Sequence, residues 1–455
     1  MNLSARGIPF AGARSYDSDM DELFDIPPME RQPNEPEGRG RPRLQRPNRG
    51  QVTLRPTDLE SLLPADHRAR AVWAFVDGLD LSAFHDRIRA VEGHSGRPPI
   101  DPAILVALWL YATLEGVGSA RALDRMCDEH DAYRWLAGGV GVNYHTLAEF
   151  RVAQADLLEG LLTQSVAALL VSGGATLTRV AHDGVRVRAS AGASSYRSRG
   201  GLRKALAEAG AQVKRLRAEL DHDPGATSRR QAAARERAAR EREQRVRRAL
   251  EVLPELEAAR RRGGRDEGDA RASTTDPEAR VMRLGDGGYR PAYNGQYTTD
   301  VGSGLVCGVS VTNVGSDRAQ LGPLVERLER SFGRRPRELL ADGGYVNAND
   351  IEALEASGIA IYVPPERQRA RRGPTAKLKH GPGLDAWRAR MATDEGQAVY
   401  RQRAATAEWV NAMARNRGLQ QLRVRGLAQV RSVLLWFALA HNLDRIRLIR
   451  AAAPG

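Results

Sequence analysis

Between 51 and 170 apolar residues recur at helical intervals, with turn-forming residues between the runs. Asp101-Pro102 supplies a cap and a first-turn proline for a helix over 103–115, Gly116-Val117-Gly118 turns the chain, and Ser119 caps a second helix over 120–130. Another helix begins near Asn143 and carries Leu147, Phe150 and Val152. The period then shortens: 177–187 is rich in β-branched residues and partly alternates, which predicts a strand with Asp183 near its middle or end. Leu202, Leu206, Val213, Leu216 and Leu220 fall near a heptad spacing, a break follows at 222–225, and Val246, Leu250, Leu253 and Leu256 resume it. That pattern predicts a charged helical hairpin.

Strands follow over 279–283, 291–300 and 304–313, joined by glycine-rich turns, then a helix over 318–332. A short strand over 337–341 ends at Asp342-Gly343-Gly344-Tyr345; after it come a helix over 349–357, a strand over 359–363 and a helix over 395–417. Leu427, Val430, Leu434, Phe437 and Ala440 or His441 form the apolar face of a last helix. The class is α/β, a mixed sheet with helical cover. With the hairpin removed, the element order matches a ribonuclease-H-like fold, preceded by an all-α module. The expected organisation is a Pro/Arg-rich disordered tail over 1–50, a helical module over 51–170 whose helix, glycine turn and helix are compatible with a DNA-binding helix-turn-helix, a ribonuclease-H-like domain over 171–200 and 271–445, the hairpin insertion over 201–270, and a tail over 446–455.

Composition narrows the class further. The 455 residues include 69 Lys+Arg against 56 Asp+Glu, a formal net charge of +13, and two cysteines. Cys127 and Cys307 stand far apart with no Cys/His cluster, which excludes a disulfide scaffold and a zinc ribbon. No apolar run is long and unbroken enough for a membrane span, and the start lacks a signal-peptide pattern, so the expected location is cytoplasmic. The positive charge implies a polyanionic partner. It is gathered in three stretches, 229–265 at +7, 366–390 at +6 and 400–450 at +8, which leaves the rest of the chain at −8. The second stretch reads as a flexible basic loop because Gly373-Pro374 and Gly381-Pro382-Gly383 oppose regular structure. Five arginines between Arg39 and Arg49 form either a phosphate-clamping arm or a solvated tail.

Asp183 and Asp342 each sit at a strand edge beside glycine. Alone, either would be read as a turn or cap residue. If the two strands are neighbours, the carboxylates meet at one end of the sheet, where a hard divalent cation relieves their repulsion. Glu408 is the best-placed third ligand, because steps of about 100° per residue put Tyr400, Arg403, Glu408 and Arg415 on one broad helix face. Asp394, Glu395 and Glu352 compete with it on spacing alone.

Four motifs occur in order: His182-Asp183-Gly184-Val185 with Arg188-Ala189-Ser190-Ala191, Tyr293-Asn294-Gly295-Gln296, Leu340-Ala341-Asp342-Gly343-Gly344-Tyr345, and Tyr400-x2-Arg403-x4-Glu408. Together with Tyr133-Arg134-Trp135-Leu136 and Thr146-Leu147-Ala148-Glu149-Phe150-Arg151 in the helical module, they resemble the DDE transposases of bacterial insertion sequences that carry a Tyr-Arg-Glu-Lys signature. The resemblance implies that Asp183, Asp342 and Glu408 are the catalytic, metal-binding acids. It implies that Tyr400 and Arg403 help hold transposon-end DNA, with Arg415 standing where the signature has lysine. Two Mg²⁺ ions, with Mn²⁺ as a possible substitute, would serve cleavage and strand transfer. The implied partners are double-stranded DNA at the transposon ends and target and a second copy in a synaptic homodimer, with the protein at the nucleoid when DNA-bound. The alternatives are a non-catalytic DNA-binding protein derived from a transposase and a structural protein that oligomerises through the hairpin, a segment to which the resemblance assigns no role.

Overall fold

A computed structural model describes residue 50 and residues 58–91, 98–222, 226–365 and 380–452. The arginine arm of the N-terminal tail and residues 366–379 of the basic stretch lie outside the described residues.

Among the described residues seven α-helices come first: α1 (Arg68–Asp77), α2 (Ser82–His85), α3 (Pro102–Leu114), α4 (Ala120–Glu129), α5 (Asp131–Ala137), α6 (Tyr144–Ala153) and α7 (Ala155–Val171). The Asp101 carboxylate accepts from the Ala103 N–H at 2.8 Å and Pro102 fills the first turn, as a cap followed by a proline requires. From Ile104 onward α3 is buried on every side, so it is the axis of the helical core and cannot enter a DNA groove. Its neighbour α4 is amphipathic and keeps Arg121 and Arg125 exposed.

The sheet starts with β1 (Arg179–Arg188). A two-residue strand, β2 (Tyr196–Arg197), leads into the hairpin α8 (Arg199–His222) and α9 (Ala226–Arg262), and β3 (Ala272–Ser273) pairs back with β2 to close the base of the insertion. Leu202, Val246, Ala249 and Leu253 give the hairpin a small core of its own. Much of its basic charge is neutralised locally, by Arg199–Glu257 at 2.5 Å, Arg247–Glu243 at 2.9 Å, Arg248–Glu251 at 3.1 Å and the Arg240–Glu236 pair.

The sheet resumes with β4 (Arg280–Arg283), β5 (Tyr289–Asp300) and β6 (Val306–Thr312), crosses through α10 (Leu321–Phe332) to β7 (Glu338–Leu340), and through α11 (Ala348–Ala356) to β8 (Ala360–Tyr362). The order β4-β5-β1-β7-β8, with β6 also on β5, is antiparallel on the β5 side of β1 and parallel on the β7 side. This is a ribonuclease-H-like mixed sheet with helices on its faces. α10 begins at Leu321 and not at 318, because Ala319 takes a left-handed φ of 62° that a helix cannot continue.

Two further expectations are corrected. Gly381-Pro382-Gly383, read as part of a loop, starts α12 (Pro382–Met391): proline in the first turn needs no amide partner, and Trp387 and Leu384 anchor the helix in the core. After α13 (Asp394–Arg401) and α14 (Trp409–Asn416), the last helix α15 (Leu427–Ala452) runs through most of the expected tail because Ile446 is buried and Ile449 packs beside it. α15 joins the two halves of the molecule, lying on β5 and β6 and against α3, α6 and α7. It reaches the sheet closely because Gly295 has no side chain there; a Cβ at that position would sit 2.8 Å from a Leu434 methyl.

Candidate active site

The register of β1 and β7 determines where the acids lie. Ala181 stands opposite Leu340 in this parallel pair, so Asp183 and Asp342, each two residues further on, fall on the same face where β7 gives out. β7 stops because the chain turns through Gly343–Tyr345, capped by the Asp342 side chain, whose Oδ1 accepts from the Gly344 N–H at 2.7 Å. Asp183 Oδ2 accepts from Asn411 Nδ2 at 2.8 Å on α14, and Oδ1 faces Arg403 Nη1 at 3.4 Å. Each aspartate thus has one oxygen oriented by an N–H of the protein.

Both line an open cavity of about 540 Å³ with Arg403, Glu408, Trp409, Asn411 and Arg415. Burial pushes the Asp183 carboxyl above the ordinary carboxylate range; the Arg403 charge and the Asn411 hydrogen bond pull it down, and the Asp342 charge pushes it up again. For Arg403 burial lowers the pKa, but the charges of Asp183 and Glu408 and the neighbouring Tyr400 outweigh it, and the guanidinium titrates above its usual range.

The single helix expected over 395–417 is three pieces. α13 ends at Arg401, residues Ala404–Glu408 form a π-helical turn, and α14 follows. Within the turn the Glu408 N–H reaches back five residues to the Arg403 carbonyl, and the Thr406 hydroxyl donates to the carbonyls of Gln402 and Arg403. The wider turn brings Glu408 onto Arg403, whose guanidinium binds Glu408 as well as facing Asp183. Tyr400 does not line the cavity; it packs against the core and lies beside Arg403, ring centroid to guanidinium 5.8 Å. Arg415 lines the cavity and is exposed. Asp394 and Glu395 are at the start of α13, and Glu352 is tied to the backbone of Gly383 and Leu384, so none of the three competitors lines the cavity.

Residues 57–153 match the family Transposase domain (DUF772), and residues 269–443 match the family Transposase DDE domain. The chain belongs to the DDE transposases of insertion sequences. The two matches leave 154–268 between them, which contains β1 with Asp183 and the helical hairpin, whereas Asp342 and Glu408 fall inside the second match. Neither a curated protein nor a solved structure matches the chain. Among the described residues of this transposase, no helix is long and apolar enough to cross a membrane.

DDE transposases generally use divalent metal ions. Among the described residues of this transposase, no three His, Cys, Asp or Glu side chains are gathered closely enough to hold one ion. The cavity nevertheless suits such a cation chemically. Its acids offer hard oxygen donors, and a guanidinium already stands between Asp183 and Glu408 as the positive charge they need.

Sequence reasoning passed over two features of the site. Asn411 follows Glu408 by three residues and orients the first aspartate. On the opposite face of β1, Asp317 accepts from Asn294 Nδ2 at 2.6 Å, Gln296 Nε2 at 2.9 Å and Arg186 Nη2 at 3.2 Å, while the Tyr345 hydroxyl donates to Gln296 Oε1. This network braces the turn that carries Asp342. It comes so close to β1 that a Cβ on Gly184 would sit 2.9 Å from Asn294 Oδ1 and from Gln296 Nε2. A signal was available in the two amides at Asn294 and Gln296, one face of a buried strand, which demand a polar partner.

Proposed function

We propose that this transposase binds the inverted-repeat ends of its element as double-stranded DNA and catalyses metal-dependent strand cleavage and strand transfer through Asp183, Asp342 and Glu408. The observation that carries this reading is the pairing of Asp183 and Asp342 on one face where β7 ends, with Glu408 across the same cavity. The three carboxylates would hold Mg²⁺ or Mn²⁺. The chemistry supplied by two such cations is activation of a water or 3′-hydroxyl and stabilisation of the leaving oxygen.

The protein's own groups prepare the site. Asn411 and the Gly344 N–H fix one oxygen of each aspartate, and the second oxygen of Asp183 faces Arg403. Arg403 neutralises the half-buried Asp183 and the exposed Glu408 until the substrate is seated, then exchanges its carboxylates for a DNA phosphate, a partner that its planar fork also fits. Arg415 at the rim adds a second phosphate contact. No side-chain nucleophile is needed, and Tyr400, packed beside Arg403, acts by positioning it. A synaptic homodimer in the cytoplasm, at the nucleoid when DNA-bound, follows from the need to hold two ends at once.

The test is incubation of the purified protein with duplexes bearing the element's ends, in Mg²⁺ and in EDTA. Metal-dependent nicking at the ends is the expected result. Retention of the duplexes without nicking in either condition would favour the non-catalytic DNA-binding reading.

A further inference from the structure

A second cavity, of about 580 Å³, lies where the helical module meets the catalytic domain. Thr113, Gly116 and Gly118 at the end of α3 form one wall, and the segment from Arg415 to Arg423 forms the other. Among the described residues no carboxylate lines it, whereas four arginines do: Arg151, Arg415, Arg417 and Arg423. Arg417 is held by Asp444. Arg151 is not paired with any acid among the described residues. It is largely buried against the ring of Trp109, 4.7 Å from the centroid, donates through Nη1 to the Gly118 carbonyl at 2.7 Å, and has no partner for Nε.

A buried guanidinium without an anion is costly, and proteins seldom keep one unless a ligand completes it. Burial and the nearby charge of Arg423 lower the Arg151 pKa to about 10, so an arriving anion would relieve both desolvation and repulsion. The anion's source is indicated by continuity: Arg415 lines this cavity and the acidic one alike, so a strand leaving the acids at the Arg415 rim runs directly into it.

We propose that the cavity between α3 and residues 415–423 is a phosphodiester-binding site, in which Arg151 and Arg423 hold the backbone of the DNA strand that continues from the acidic site. The proposal rests on the DNA-binding reading above and adds to it a place, a pair of residues and a path. It also gives the joint between the two domains a task, since Arg151 belongs to α6 and Arg423 to the catalytic domain.

The experiment measures the affinity of the full chain for an end-bearing duplex against salt concentration. Each lost phosphate contact lowers the slope of log K against log salt by about 0.9. Arg423→Gln and Arg151→Gln should each reduce the slope by about one and weaken binding about tenfold at moderate salt, while Arg330→Gln on α10, exposed and away from both cavities, changes neither. Arg423 is exposed, so its variant keeps the test decisive even if Arg151→Gln fails to fold. Tight binding by the wild type with an unchanged slope in Arg423→Gln overturns the proposal and leaves the DNA-binding reading intact. Failure of the wild type to bind duplex overturns both. If inorganic phosphate raises the melting temperature of the wild type but not of Arg423→Gln, and the duplex slope is the same in both, the cavity holds a free anion and the strand path is wrong.

Discussion

Asp183 and Asp317 lie on opposite faces of the same stretch of β1 and are almost equally exposed, at 15% and 14% of the side chain, yet they are held in different ways. Asp317 receives three side-chain N–H donors, from Asn294, Gln296 and Arg186, and lines neither cavity. Asp183 has one close donor, Asn411, a guanidinium at longer range, a second aspartate nearby, and open space in front. Burial is therefore not what distinguishes a saturated acid from an open one. A saturated carboxylate gains by staying as it is, whereas an incompletely satisfied one gains by taking a ligand.

The sharpest way to break this contrast is to remove charge at the open acid. Asp183→Asn and Asp342→Asn should each reduce metal-dependent cleavage by at least about 10³-fold, the scale of several kcal/mol of charge stabilisation. Asp183→Asn should not lower the unfolding midpoint, because burial already disfavours the charged form and the amide oxygen still accepts from Asn411. Cleavage at the wild-type rate would remove Asp183 from the chemistry, and a large loss of stability would make it a second Asp317. At the saturated acid the expectation inverts. Asp317→Ala leaves the buried Asn294 and Gln296 amides without an acceptor and Arg186 with only backbone carbonyls, and should cost about 3 kcal/mol of stability in urea unfolding. Cleavage per folded molecule should fall less than about tenfold, through slackening of the turn that carries Asp342. A variant as stable as wild type but as inactive as Asp183→Asn would erase the distinction.

The open acid was legible in the sequence and the saturated one was not. Strand periodicity ending in Asp-Gly at 183–184 and again at 342–343 is a local pattern, and topology supplied the rest: two parallel neighbours bring such residues side by side. Asp317 follows Gly315-Ser316 in what reads as a turn, and its partners lie more than twenty residues back on β5 or, for Arg186, on β1. The π-helical turn at Ala404–Glu408 was equally hidden. Ala-Ala-Thr-Ala carries no helix-breaking signal, and the wider turn accompanies a contact between Arg403 and Asp183 across 220 residues of chain. Arg151 was legible only as one member of a family motif, because its lack of an acid partner among the described residues is a property of the assembled joint between α3, α6 and residues 415–423.

The smallest effect gives the finest test, because it asks whether Asn411 tunes the open acid or merely packs against it. The Asn411 hydrogen bond is one of three influences that lower the Asp183 pKa against burial, beside the Arg403 charge and a backbone hydrogen bond at Gly184. Asn411→Ala removes it, so the carboxyl moves further above its unfolded-state value, and protons compete with metal up to a higher pH. The acid limb of the cleavage profile should therefore move to higher pH while the plateau at high pH changes little. Stability carries the matching sign. A carboxyl whose folded pKa is raised weighs against folding once pH exceeds that pKa, and weighs nothing below the unfolded pKa, where both states are protonated. The stability gap between wild type and Asn411→Ala should then be widest near neutral pH, at about 1.5–3 kcal/mol for a hydrogen bond to a charged group, and should narrow as pH falls into the carboxylate range. A gap of the same size at every pH would be the mark of a cavity left by the missing amide, and with an unmoved acid limb it would make Asn411 a packing residue and leave Arg403 and the Gly184 backbone to temper Asp183.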